Sequence, residues 1–137
     1  MNRELERAKR RLSEGSYTCV LCKNEREITS RERGVKPLID MLCQDCEGFC
    51  AADRVVGKGA AFIYVLLKVD AVYAEVLSEP AREVLLLNNI AVSFGTLVPA
   101  IKNRKGDGFC PIESAVMSES DPHRALDTIK RTLKSLS

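Results

Sequence analysis

Two short phrases of the chain repeat one chemical pattern: Gly48-Phe49-Cys50-Ala51-Ala52-Asp53 and Gly108-Phe109-Cys110-Pro111-Ile112-Glu113 each set an acid three residues after a cysteine. Pro111 is a favoured first helical residue, so Cys110 is predicted to stand at a helix start with Glu113 placed to reach back to the cap. A thiol that faces unpaired backbone N–H groups and the positive end of a helix is biased toward thiolate, the form that attacks carbon or binds metal. Cys110 is therefore the candidate nucleophile, and Asp53 and Glu113 are the candidate proton carriers. Cys50 joins them as a candidate ligand contact, its own helix predicted to begin near Asp53. Ordinary helix capping is the competing explanation for both acids.

Cations and glycines surround the same two phrases. Lys58, between Gly57 and Gly59, is a candidate to neutralise an anion, and Gly57 to let a ligand or a neighbouring chain approach. The spacing does not fit a phosphate loop of the form GxxxxGK[ST], because Gly48 and Gly57 are too far apart and Gly59 stands where the hydroxyl residue belongs. Two glycines near the start of an apolar helix cost about 1 kcal/mol each relative to alanine, so something must need the space. Just ahead of Cys110, the loop KNRKGDG over 102–108 offers Asn103 and Arg104 as an anion cradle. Charged, glycine-containing loops are otherwise ordinary solvated turns.

The remaining cysteines form a second candidate. Cys19-x2-Cys22 and Cys43-x2-Cys46, 20 residues apart, have the spacing of a four-cysteine zinc site. Against this, Cys19 and Cys22 fall in a strand-like run, where residues three apart point to opposite faces. The favoured reading makes Cys19 or Cys22 a small buried core residue and Cys43 and Cys46 partly exposed thiols. No metal and no cofactor are expected, and the zinc-binding use of the four is the alternative.

The elements that must position these groups follow from periodicity. Leu5, Ala8 and Leu12 mark an amphipathic helix closed near Gly15; SYTCVLC and REITS flank a turn at Lys23-Asn24-Glu25 as a hairpin; Pro37 starts a short helix through Leu42. GAAFIYVLLK is apolar nearly all round, as in a helix covered on most sides. AVYAEVL, a helix capped by Ser78, and IAVSF make a βαβ unit, so part of the sheet is parallel. Asp121-Pro122 opens a last helix with a stripe of Ala125, Ile129, Leu133 and Leu136, and its His123, the sole histidine, reads as a surface residue. The predicted order is α, hairpin, α, α, β, α, β, α, α, which packs as a three-layer α/β/α sandwich with a mixed sheet.

Composition sets the outer bounds. The chain has 137 residues and is 45% hydrophobic, enough for one domain over 1–137 and too short for two. A net charge of +2 announces no nucleic-acid or membrane-surface binder, and no apolar run approaches the ~20 residues of a bilayer span. The amino terminus MNRELERAKRRL is a charged helix rather than a secretory signal, so a cytoplasmic protein with six cysteines as thiols or metal ligands is expected.

The runs YTCVLCKN, RERGVKPLIDML, GFCAADRVVGKGAAFIYVLLKVDAVYAEVLSEPA and LVPAIKNRKGDGFCPIESAV resemble a bacterial and archaeal family of unknown function whose fold is similar to that of cytidine deaminase. The resemblance spans roughly residues 5–133 and implies a deaminase-like α/β/α layout. In zinc deaminases a [HC]xE motif and a PCxxC motif start two helices that hold the metal. Here neither His-x-Glu nor Cys-x-Glu stands near Asp53, and Glu113 occupies the place of the second cysteine of PCxxC. The resemblance thus implies a degenerate zinc site. The expected function is a small-molecule site, nucleotide- or nucleobase-like, where the helix starts at Asp53 and Cys110 converge. Cys110, Asp53, Glu113 and Lys58 are its catalytic candidates, and Cys50, Gly57, Asn103 and Arg104 its ligand contacts. Whether it is an enzyme or a non-catalytic sensor, and whether it assembles as a homo-oligomer, stay open.

Overall fold

The computed structural model describes residues 3–103, 106 and 108–136. Eleven elements follow one another along these residues: α1 (Arg3–Glu14), β1 (Cys19–Lys23), β2 (Arg26–Ser30), α2 (Lys36–Met41), β3 (Cys50–Val56), α3 (Lys58–Leu67), β4 (Ala71–Ser78), α4 (Glu79–Leu87), β5 (Ala91–Val98), α5 (Pro111–Ala115) and α6 (Pro122–Leu136). The local reasons are those the residues announce. Asn24 turns the β1–β2 hairpin with φ 52°, a left-handed conformation that asparagine tolerates. Ser78 caps α4 by accepting from the Ala81 N–H at 3.2 Å, with Pro80 in the first turn.

The five strands form one mixed sheet in the order β2-β1-β3-β4-β5. β1 runs antiparallel to β2 and β3, whereas β3, β4 and β5 are parallel, joined by α3 and α4 as crossovers. α1 covers one face, where Ala8 and Leu12 pack on Val20, Cys22 and Ala52. On the other face, α3 buries Ala60, Ala61, Phe62, Ile63 and Tyr64 within the larger core, and Ile129 of α6 packs there too. The layers are helix, sheet, helices: a three-layer α/β/α sandwich.

One element differs from expectation. The chain from Cys50 to Val56, read as the approach to a helix beginning near Asp53, is instead the central strand β3, and the helix starts at Lys58 with Gly57 as its N-cap. Cys-Ala-Ala-Asp-Arg lacks the β-branched residues that mark a strand. Its small side chains suit a strand covered on both faces: Ala51 packs in the large core, Ala52 beneath α1, and both are fully buried. The last helix is also shorter in its core stripe than expected, with Ala125 and Ile129 buried, Leu133 half-buried and Leu136 exposed.

Candidate functional site

Between the β1–β3 side of the sheet and the starts of α2, α3 and α5 lies a cavity of about 670 Å³. The sheet contributes Cys19 and Asp53; Val35 and Leu38 of the α2 region, Gly57 and Ala60 of α3, and Cys110, Ile112 and Glu113 of α5 close it; Arg31, Arg33 and Gly34 form an exposed rim. Parallel strands deliver their helices at one end of the sheet, so β3 and α3 place Asp53 and Gly57 on that end together.

Asp53 is the chemically distinctive group in the wall. Strand alternation points it toward α3, next to its antiparallel partner Cys19, and its Oδ2 accepts a hydrogen bond from the hydroxyl of fully buried Tyr64 at 2.6 Å. Removal from water pushes its carboxyl up to about 6, against the opposing pull of the Tyr64 hydroxyl and of the backbone N–H groups of Val55 and Arg54. Burial and then the Asp53 charge push the Cys19 thiol up, and burial and the same charge raise Tyr64. A carboxyl that titrates near neutrality in a cavity can give or take a proton there.

Glu113 has a different role from its expected one. It is 2% exposed, and its carboxylate accepts from the Lys58 N–H at 2.9 Å, from the Ile101 N–H at 2.6 Å and from the Ser78 hydroxyl. Instead of capping its own short helix it supplies the negative charge at the start of α3. The glycines follow from this packing: a Cβ on Gly57 would lie 3.2 Å from Glu113 Oε2, and one on Gly59 would lie 2.6 Å from the Cγ2 of Ile112. The close approach that the two glycines serve is that of α5 to α3.

The structure brings Asp53, Gly57, Cys110 and Glu113 to one cavity and places the other candidates elsewhere. Cys50 is a buried strand residue, opposite Cys22 in β1 and on the sheet face away from Asp53, about 10 Å along the strand at ~3.3 Å per residue. It was expected beside Cys110 because both precede an acid; a strand in place of a helix start separates them. Lys58 turns away, its Nζ donating to the Met117 carbonyl at 2.5 Å and lying 5.7 Å from the Phe62 ring centre. Asn103 sits in the loop before α5, its N–H donating to the Gly108 carbonyl at 2.9 Å, and does not line the cavity. Arg104 lies outside the described residues. Cys110 is the N-cap residue of α5 but its side chain makes no capping bond, and the residue is part-exposed on the cavity wall.

The four-cysteine zinc alternative is corrected by the same geometry. Cys19 packs in the core on the α3 face and Cys22 beneath α1, on opposite faces of one strand. Cys43 is exposed, its Sγ 3.0 Å from the Asp40 carbonyl, while Cys46 is buried rather than partly exposed. Among the described residues no three His, Cys, Asp or Glu side chains gather to hold an ion.

Sequence reasoning did not single out Tyr64, Cys19, Arg31 or Arg33 for this cavity. A tyrosine inside the otherwise apolar GAAFIYVLLK was a usable signal, since a buried hydroxyl requires a polar partner. The two arginines of RERG carried one as well, because an extended segment points alternate residues the same way.

A family model described as TM1506, a domain of unknown function (DUF1893), matches residues 7–133. The chain belongs to the DUF1893 family. The resemblance to a family of unknown function, drawn from AADRVVGK and GFCPIE, is thereby borne out. A crystal structure of a DUF1893 family protein (TM1506) from Thermotoga maritima superposes on it with a TM-score of 0.83 and 24% identity, over 98% of this chain and 92% of that one. At that identity the likeness shows the DUF1893 fold, including the three-layer architecture. No curated protein matches the chain. No helix among the described residues of this DUF1893 chain is long and apolar enough to cross a membrane.

Proposed function

We propose that the cavity is a binding site for a small heterocyclic metabolite of the nucleobase or nucleoside class, in a deaminase-like fold whose metal ligands have been replaced. The observation that carries the reading is Asp53: a carboxyl raised to about 6, fixed by Tyr64 and facing a cavity of about 670 Å³. That volume falls in the range of small-molecule sites, and the wall mixes apolar side chains with a few polar groups, as such sites do. With Oδ2 on Tyr64 and Oδ1 taking only a long 3.4 Å bond from the Val55 N–H, the Asp53 carboxyl keeps lone pairs to accept from a ring N–H or amino group.

A second reading is supported by Cys110. Part-exposed Cys110 shares the cavity with Asp53, while Glu113 is held by three donors. In this version Cys110 adds to an electrophilic ring carbon and Asp53 supplies the proton to the adjacent ring nitrogen. The test is a thermal-shift screen of bases and nucleosides followed by mass spectrometry. Binding raises Tm in the wild type and is lost in Asp53→Asn. Cys110→Ala keeps the shift if the protein only binds, and loses any adduct or turnover if Cys110 reacts. A screen in which no base or nucleoside, phosphorylated or not, shifts Tm overturns both readings.

A further inference from the structure

The charges around the cavity are unevenly committed, and the uncommitted ones are at its mouth. Glu113 is held by three donors and Asp53 by Tyr64. Of the three arginines in the wall, Arg54 is tied down: it donates to the carbonyls of Tyr17, Leu12 and Gly15 and pairs with Glu75 at 2.7 Å. Arg31 and Arg33 remain, both on the exposed rim, and neither is in an ion pair with a described carboxylate.

The segment that carries them is held in place. The Thr18 N–H donates to the Ser30 carbonyl at 2.7 Å, the Thr18 hydroxyl to the Glu32 carbonyl at 2.6 Å, and the Glu32 N–H to the Ser30 hydroxyl oxygen at 3.1 Å. Arg31 lies over the Tyr17 ring at 4.6 Å and donates from Nε to the Ser16 hydroxyl oxygen at 3.1 Å, which orients its guanidinium. Gly34, at φ +84°, then turns the chain into α2. Glu32, between the arginines, is not part of the cavity wall.

Two guanidinium groups on a fixed segment, without carboxylate partners and beside a cavity, match the planar, multidentate recognition of a phosphate. We propose that Arg31 and Arg33 form a phosphate clamp at the cavity mouth, so that the ligand is a phosphorylated nucleoside rather than a free base or nucleoside. This rests on the reading of the cavity as a nucleoside-like site.

The experiment measures binding of cytidine, uridine, adenosine and guanosine and of their 5′-monophosphates to the full chain by calorimetry. It compares the wild type with Arg33→Ala, Arg33→Lys, Arg31→Ala and Asp53→Asn, each first shown to melt as cooperatively as the wild type. Expected is that at least one monophosphate binds about tenfold or more tightly than its nucleoside, with an advantage that shrinks as salt rises. Arg33→Ala removes most of that advantage and leaves nucleoside binding in place, Arg33→Lys keeps part of it, and Asp53→Asn weakens nucleoside and nucleotide alike. Equal binding of nucleoside and monophosphate overturns the clamp while the cavity reading stands. A phosphate preference that survives both arginine substitutions also overturns it. No binding of any probe overturns clamp and cavity reading together.

Discussion

Asp53 and Glu113 are both acids three residues after a cysteine, and their surroundings give them different roles. Glu113 is fixed by two backbone N–H groups and a hydroxyl; Asp53 meets the Tyr64 phenol and the backbone N–H groups of Val55 and Arg54, but its removal from water outweighs them and disfavours its charged form. The sign of the consequence for stability follows from proton counting. With a folded-state pKa of about 6 against an ordinary 3.8, Asp53 binds more protons in the folded than in the unfolded chain between those pH values. Its contribution to stability therefore falls as pH rises through that window and stays low above it. Asp53→Asn, which keeps an oxygen for Tyr64, is expected to be more stable than the wild type at pH 7.5 by about 1 kcal/mol and to show no gain at pH 4. Urea unfolding at the two pH values checks this; an equal gain at both would refute the burial of an ionisable group as its source.

At the scale of elements, β3 decides the architecture and was the least legible part of the chain. Its alanines, aspartate and arginine are residues of helices or turns, and strand identity came from neighbours: β1 on one side, β4 on the other, α1 and α3 on the faces. A signal was present in order rather than composition, since a covered helix at 58–67 followed by a strand implies a parallel strand before the helix. By contrast the hairpin, α4 with its Ser78 cap, and β5 were readable, because turn, cap and alternation are local chemistry. Arg54 ties β3 to α1, donating to the carbonyls at the end of that helix and just beyond it. Arg54→Ala removes these bonds and leaves the Glu75 carboxylate without its partner. A loss of about 3 kcal/mol is expected, together with faster amide exchange in α1 than in α3. Uniform exchange through both helices would show that Arg54 does not anchor α1 in particular.

Across the whole molecule, Glu113 joins four segments: α5, which carries it, the start of α3, the β4–α4 junction at Ser78 and the loop at Ile101. Glu113→Gln puts an amide NH2 where an acceptor is needed, so at least one of the three donors loses its partner. The expected cost is about 2 kcal/mol or more in urea unfolding, with the wild-type m-value retained. Wild-type stability would mean that these segments are held together by apolar packing alone. The two edges of the sheet differ as well: β2 carries Arg26 and Glu27, whereas β5, AVSFGTLV, is uncharged with Phe94, Gly95 and Thr96 exposed. The chain alone determined the layered α/β class, most element boundaries and the opposed directions of Cys19 and Cys22, because periodicity, caps and strand alternation act over a few residues. Only the tertiary structure decided that Cys50 stands apart, that Glu113 is a tie between segments, and that Tyr64, Arg31 and Arg33 share the cavity with Asp53. Those facts depend on which strand lies beside which and on which helix starts the sheet brings together, contacts between residues tens of positions apart that no local pattern encodes.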